Sequence, residues 1–187
     1  MKRANVIPAA CLVAFALFSG CDEIRTSEAA ADKGTTKAEQ TSQANQQGED
    51  MGKKPWVLDI EEATVNNPDY RHVRWTGEHL QMVLMSLKPG EEIDLERHDD
   101  VDQFLRIEQG EAQVRMGKSK DDLSFDKKVS DHWAIFIPSG YWHHVKNTGN
   151  KELKLYSIYA PAQHPAGTVH KNYKEAQAHH ESLEHDH

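Results

Sequence analysis

The chain has 187 residues, with 22 basic and 30 acidic side chains, so its formal net charge at pH 7 is −8. This acidic balance argues against nucleic acid as a partner and against electrostatic attraction to anionic lipid. Residues 53–187 have the length of one domain. Both cysteines lie within the first 21 residues, so we expect the domain to hold neither a disulfide nor a thiolate metal site.

Residues 1–20 have the composition of a secretory signal peptide. Lys2 and Arg3 give a positive start, and an apolar run follows from residue 6 to residue 18. That run is shorter than the roughly 20 residues that a membrane-spanning helix needs. The sequence Leu-Phe-Ser-Gly-Cys at residues 17–21 resembles the lipobox of bacterial lipoproteins, with its leucine one place early. The resemblance implies cleavage after residue 20 and lipidation of Cys21.

Residues 21–52 are predicted to form a disordered tether behind the lipidated cysteine. Ala, Thr, Ser, Gln, Lys, Glu and Gly dominate, and no aromatic residue occurs between Phe18 and Trp56. Such a segment buries too little apolar surface to offset the entropy of ordering it. We therefore expect a domain in the cell envelope, facing the periplasm or exterior, whose contact with the membrane is the lipid anchor alone.

The pattern between residues 53 and 165 is typical of short β-strands. An almost wholly apolar run, residues 80–87, ends at Pro89-Gly90, which favours a strand buried on both faces over a helix. Short strands with frequent turns indicate an all-β barrel or double-sheet sandwich. Further strands are predicted at 103–108, 112–116, 123–125, 133–137 and 153–159, with leading strands within 56–77.

Residues 166–187 form a polar, histidine-rich tail that is predicted to be partly helical. Asn172 and Glu175 have the spacing of a capping pair for a helix from Tyr173 to about Leu183. We expect the histidines of the tail, and His164 just before it, to be solvated, with weak metal binding as the alternative. The tail histidines are His170, His179, His180, His185 and His187.

Oxygen and nitrogen ligands recur at positions that suit a metal site inside such a barrel. Successive side chains on a strand face opposite sides, so Glu96 and His98 point the same way. Gln103 opens the next strand and can face them. A Pro-Ser-Gly turn at 138–140 then returns the chain, and His143 arrives from a strand distant in sequence. We predict a divalent-metal site formed by Glu96, His98, Gln103 and His143.

Two stretches resemble the paired motifs of the cupin family. The first is Gly90-x5-Glu96-x-His98-x4-Gln103-x6-Gly110. The second is His132-x5-Pro138-x-Gly140-x2-His143-x3-Asn147. The resemblance covers roughly residues 80–161. It implies a double-stranded β-helix, or jelly-roll, barrel, and small single-domain cupins often form homodimers through their N-terminal strands.

Three positions depart from the motifs of that family. Glu96 stands where the family usually has its first histidine, Gln103 where it has a glutamate, and His132 where it has a glycine. The usual three histidines and one carboxylate thus become two histidines, one carboxylate and one amide. Because this set is richer in neutral oxygen, it favours Mn, Fe(II) or Zn over copper. The alternative is a barrel that has lost its site, with Glu96 and Gln103 as ordinary polar residues at its mouth.

The remaining histidines of the two motifs receive other interpretations. His144 follows a predicted ligand and should face the opposite side of its strand, at the surface or in a dimer interface. His132 lies in a predicted turn and is expected to be solvated.

The resemblance implies a metal-dependent enzyme that acts on a small oxygen-rich molecule, in a reaction of isomerase, dioxygenase or lyase type. A non-catalytic module that binds a small ligand or a metal is the alternative, and an envelope-assembly protein that uses only the scaffold is a third. A free acid or base inside the barrel would favour the enzyme, but the sequence indicates none. It predicts apolar walls from Leu105, Ile107, Ala112 and Val114, with Arg106, Glu108 and Arg115 on the opposite faces.

Overall fold

The computed structural model describes residues 49–184, with side chains up to residue 179. The predicted signal peptide, Cys21 and residues 22–48 of the predicted tether lie outside the described residues, as do His185, His187 and the side chain of His180. In the described range, no helix combines the length and the apolar character needed to cross a bilayer.

Residues 49–184 form ten strands and two helices. The helices are α1 (Ile60–Val65) and α2 (Tyr173–Glu184). The strands are β1 (Arg71–Thr76), β2 (Gln81–Leu87), β3 (Glu92–Arg97), β4 (Asp102–Gln109), β5 (Glu111–Gly117), β6 (Phe125–Ser130), β7 (Ala134–Ile137), β8 (Trp142–Asn147), β9 (Leu153–Ala160) and β10 (Val169–His170).

The strands lie in two antiparallel sheets. One sheet has six strands in the order β10-β1-β2-β9-β4-β7, and the other has four in the order β3-β8-β5-β6. Neighbours distant in the chain, such as β2 with β9 and β3 with β8, give the sheets their jelly-roll connectivity. The predicted all-β jelly-roll fold with a short C-terminal helix is confirmed.

Alternating side chains of the strands fill the space between the sheets. Leu105 and Ile107 on β4 are fully buried, as are Ala112 and, nearly so, Val114 on β5. The predicted apolar walls are therefore confirmed. The side chains at the alternate positions of β4 lie on the outer face of the sheet. There the guanidinium of Arg106 lies 3.0 Å from the carboxylate of Glu108.

Strand β2 is buried at all seven of its positions, as its continuous apolar run predicted. Its inner face joins the barrel core, and α1 packs on the sheet at β2, β4 and β9. This helix occupies part of residues 56–77, where leading strands were predicted. It begins after Asp59, whose carboxylate accepts a hydrogen bond of 3.0 Å from the backbone N–H of Glu62. An N-cap of this kind stabilises a helix too short to show a clear periodicity.

The ordered barrel extends beyond residues 53–165 at both ends. The carboxylate of Asp50 accepts hydrogen bonds from the backbone and hydroxyl of Thr76, at 3.1 and 2.7 Å, and from the N–H of Gly167 at 3.0 Å. Strand β10 pairs with β1, and α2 then begins with the predicted capping pair, in which Glu175 N–H donates to Asn172 Oδ1. Residues 161–170 thus run back across the sheet.

Candidate metal centre

Strands β3 and β8 bring the two motifs side by side. Glu96 is the cross-strand partner of His143, after a β-bulge that follows Ile93 on β3. His98 comes directly after the end of β3. Glu96 and His98 share one side, as the alternation predicted, while the intervening Arg97 is exposed and lies over the ring of Trp142.

The donor atoms of Glu96, His98 and His143 all lie within 4.8 Å of one another. Glu96 Oε1 is 3.2 Å from His143 Nε2 and 3.3 Å from His98 Nε2. Two ligands placed about 2.1 Å from one ion at a right angle are roughly 3 Å apart. The spacing therefore suits neighbouring ligands of a single divalent cation, and the three side chains are only 17%, 9% and 1% exposed.

The orientation of the His143 ring leaves one nitrogen for a metal. Its Nδ1 lies 3.1 Å from the backbone carbonyl of Tyr141. A carbonyl can only accept, so Nδ1 carries a proton, and Nε2, which lies 3.2 Å from Glu96 Oε1, is the nitrogen that faces the cluster and is left to bind a metal. Metal-binding histidines are commonly held through the second ring nitrogen in this way.

Opposing effects set the ionisation of Glu96. Burial favours its neutral form, but hydrogen bonds and charge from His143 and His98 outweigh burial and hold the pKa of this carboxyl well below its usual range. The carboxylate is therefore the stable form, which is the form that binds a cation.

Gln103 lies on β4, in the opposite sheet, and is 3% exposed. Its amide nitrogen donates to Ser157 Oγ at 3.0 Å, while its Oε1 is buried without a hydrogen-bond partner. Buried polar atoms are nearly always satisfied, so an orphaned amide oxygen calls for an explanation. A cation would supply the missing partner, and the residues present therefore fit a bound metal.

The Pro138-Ser-Gly-Tyr turn of the second motif is hydrogen-bonded to the first motif. Gly140 has a φ of 76°, a left-handed conformation that glycine adopts at little cost. Its N–H donates to the carbonyl of His98 at 2.7 Å, and Tyr141 N–H donates to the carbonyl of Pro138 at 3.2 Å. The turn thereby fixes His98 and the start of β8 relative to each other.

Residues 83–159 match the family model described as Cupin domain. The chain is 57% identical over 129 residues to the protein YrkC of Bacillus subtilis (strain 168), covering 69% of each chain. It is 46% identical over 115 residues to the protein L612 of Acanthamoeba polyphaga mimivirus, covering 61% of this chain and 70% of that one. Among solved structures, BH2720 from Bacillus halodurans is similar at a TM-score of 0.69 and 53% identity, over 70% of this chain and 98% of that one.

The chain belongs to the cupin family. Its barrel brings Glu96, His98 and His143 together, and it places Gln103 in the facing sheet with a free oxygen. His144, beside a cluster residue, faces the other way, as predicted, but it is only 7% exposed rather than at the surface, and it contacts Glu92 and Arg115 at 3.1 and 3.3 Å. His132 is exposed, also as predicted.

For two of the histidines in this cupin that were predicted to be solvated, His164 and His170, the prediction is wrong. His164 packs its ring edge-on against Tyr159 at 5.2 Å, and its Nε2 is buried. His170 is 7% exposed on β10 and contacts His179 at 2.9 Å. The cause is the return of residues 161–170 across the sheet, where Gln81 binds both the N–H and the carbonyl of His164.

Tyr159 and His164 also add titratable groups next to the cluster. The Tyr159 ring lies 5.8 Å from the ring of His98. Burial, and to a lesser degree the charge of Glu96, raise the pKa of Tyr159 to about 12. Burial, then the charge of Arg71, lower the pKa of His164 to about 3. A neutral phenol and a neutral imidazole thus lie inside the barrel; strand parity could have revealed Tyr159, but nothing in the sequence pattern marks His164.

Proposed function

We propose that this cupin holds a divalent metal, Mn, Fe(II) or Zn, through Glu96, His98, Gln103 and His143, and acts on a small oxygen-rich molecule. The reaction is of isomerase, dioxygenase or lyase type. The observation that carries the proposal is the buried Oε1 of Gln103, an oxygen without a donor, in a barrel that also holds three mutually close ligand atoms.

The chemistry that the metal supplies when bound is Lewis-acid polarisation of a chelating oxygen. The chain supplies hydrogen-bonding groups beside it. The hydroxyl of Tyr159 stays neutral and can donate a hydrogen bond to a substrate, and the neutral imidazole of His164 can accept one. Neither residue is needed to hold the ion. The pair can therefore orient a small oxygen-rich molecule beside the cluster, which both the enzyme and the non-catalytic alternative require.

Metal content tests the proposal directly. The full chain, purified in detergent without a polyhistidine tag and without added metal, is analysed by mass spectrometry for bound metals. We expect close to one divalent ion per chain, and strong loss in Glu96→Ala and in His98→Ala. His132→Ala, at an exposed position, is the matched control and should retain the metal. Substoichiometric metal that neither cluster substitution changes would refute the proposal.

Turnover distinguishes the enzyme from the binding module. Metal-loaded protein is incubated with a panel of small hydroxy and keto acids and sugars, with and without oxygen, and the products are followed by NMR. A conversion that disappears in Tyr159→Phe or His164→Gln while the metal stays bound supports catalysis. Binding of metal and ligand without conversion of any compound favours the non-catalytic module.

The same proposal places the barrel at a membrane through a lipidated Cys21, in the cell envelope. Support comes from the apolar run before Ser19-Gly20-Cys21 and from the polar segment that follows. A lipid anchor predicts that the chain sediments with membranes and that its mature N-terminus is Cys21. Cys21→Ser should release it into the soluble fraction, whereas an unchanged distribution would contradict the anchor.

A further inference from the structure

Arg71 lies on the inner face of the barrel. On β1 it alternates with Val73, which is fully buried in the hydrophobic core, so both side chains point inward. Its cross-strand partners are His170 on β10 and Met85 on β2. Met85 is also fully buried. Arg71 is therefore a half-buried cation among core positions.

The guanidinium of Arg71 lacks an acidic partner. Its Nε is buried without a hydrogen bond, and its Cζ lies 5.8 Å from the ring of Tyr70. Across residues 49–184, no carboxylate forms an ion pair with it. Two outward-facing arginines differ, since Arg97 pairs with Asp99 at 2.8 Å and Arg106 with Glu108 at 3.0 Å. A half-buried cation without a counter-charge is costly, and an anionic ligand would offset that cost.

Arg71 and Glu96 act on the same interior groups. After burial, the largest effect, Glu96 raises and Arg71 lowers the pKa of Tyr159. Both charges also act on His164, again after burial. The rings of Tyr159 and His164 are in contact, and Tyr159 contacts His98. The unpaired guanidinium and the metal cluster thus both lie close enough to this pair of rings for their charges to act on it.

We infer that Arg71 binds a carboxylate of the substrate while an oxygen elsewhere on the same molecule reaches the metal cluster, so that the substrate is a small organic acid. The inference rests on the proposed function and names its substrate class. A planar guanidinium offers two parallel N–H donors that match the two oxygens of a carboxylate. A single guanidinium neutralises the single charge of that group, whereas a phosphate dianion would leave charge uncompensated.

Dicarboxylates and their monoamides separate this carboxylate site from simple metal chelation. Succinate and succinamate have nearly the same size, and each keeps one carboxylate for the metal. Malonate and glutarate, with their monoamides, cover a shorter and a longer span. Isothermal titration calorimetry on the Mn(II)-loaded full chain should give at least one diacid that binds about tenfold or more tightly than its monoamide.

Variants of Arg71 then test whether this residue causes the preference for the diacid over its monoamide. Arg71→Gln should reduce it to within about twofold, and Arg71→Lys should keep part of it, because lysine retains the charge but not the planar fork. Arg115→Gln, which removes an outward-facing guanidinium beside His144, is the control and should leave the preference intact. Thermal unfolding of each variant verifies that it is folded, and mass spectrometry verifies its metal content.

The outcomes keep the inference separate from the proposed function. A metal-loaded native chain with no diacid preference at any of the three lengths overturns the inference and leaves the metal site standing. A native chain without metal overturns the proposed function. If that metal-free chain still shows an Arg71-dependent preference for diacids, the result supports the anion site. If it shows no such preference, the anion site is refuted as well. Arg71-dependent binding of inorganic phosphate more tightly than every diacid would overturn the assignment to carboxylate.

Discussion

The backbone N–H of Gly140 donates a hydrogen bond of 2.7 Å to the carbonyl oxygen of His98. This bond joins the two cupin motifs where each delivers a histidine, since His143 follows Gly140 by three residues. The carbonyl of Tyr141, in the same turn, holds the ring of His143. One tight turn therefore positions both imidazoles relative to Glu96.

Gly140→Ala should weaken both folding and metal binding. A Cβ at this position meets no atom within 4 Å, so the cost comes from the φ of 76° alone. Alanine in the left-handed region costs about 1–2 kcal/mol. Relief of that strain would shift the turn and the histidines that it fixes, so we expect metal affinity to fall by roughly tenfold. Chemical denaturation and competition with a metal chelator measure the two effects.

Gly90→Ala is the matched control for that substitution. Gly90 has a φ of 85° and also has open space around its Cβ position, so its folding cost should be similar. Its N–H bonds to the carbonyl of Asn147 rather than to a ligand residue. Equal losses of metal affinity in the two variants would contradict the role given to the Gly140 turn.

Gln103 substitutions should change metal affinity in opposite directions. Gln103→Leu removes the unpartnered Oε1 and should weaken metal binding by at least about tenfold. Gln103→Glu supplies an anionic oxygen and should strengthen it, because the hydroxyl of Ser157 can rotate from accepting to donating. Gln113→Leu, an outer-face change at an amide bound to Asp126, should have no effect. Native affinity in Gln103→Leu would show that the amide is not a ligand.

Strand parity and motif spacing were sufficient to predict much of the barrel and part of the site. Glu96 and His98 lie on the same side of their strand because side chains alternate with a period of two. The Pro-x-Gly turn correctly predicted the start of the strand that carries His143. The continuous apolar run of β2 correctly indicated burial on both faces. Strand alternation and apolar runs are local features of the sequence, and the position of His143 was predicted from the resemblance to the two cupin motifs.

Contacts made by the returning C-terminal segment could not be predicted in this way. Gln81 and His164 are 83 positions apart, yet the Gln81 side chain holds both backbone groups of His164. Loop residues have no periodicity that fixes their direction, so His164 was assigned to solvent. The inward direction of Arg71 could not be predicted for a related reason. A charged residue on the inner side of a short strand interrupts the apolar alternation by which the inner face is identified.

Asn147→Leu should destabilise the fold and leave metal affinity unchanged. Asn147 is 1% exposed, and its amide donates to the carbonyls of Leu87 and Lys151 at 2.9 Å each and accepts from Gly149 N–H at 3.0 Å. Leucine would leave these buried groups unpaired, at a cost of roughly 2–4 kcal/mol. The residue lies four positions from His143 along β8, about 13 Å away. Denaturant titration and chelator competition, with exposed Asn150→Leu as control, separate this structural role from coordination.

His164 makes the stability of the metal-free protein depend on pH in a defined direction. Burial and the charge of Arg71 lower the pKa of His164 from 6.5 to about 3. Between these values the unfolded chain binds more protons than the folded one, so the free energy of unfolding rises with pH. The stabilisation is complete above about pH 6.5 and is lost progressively as the pH falls toward 3.

His164→Gln should therefore flatten the stability profile between pH 7 and pH 4. Since glutamine does not titrate, the native chain should lose roughly 3 kcal/mol more than the variant across this window. Urea titrations at several pH values, in the presence of a chelator, measure that difference. His132→Gln, at an exposed turn position, should follow the native profile. Parallel profiles for the native chain and His164→Gln would mean that the imidazole is protonated as readily in the folded barrel as in water.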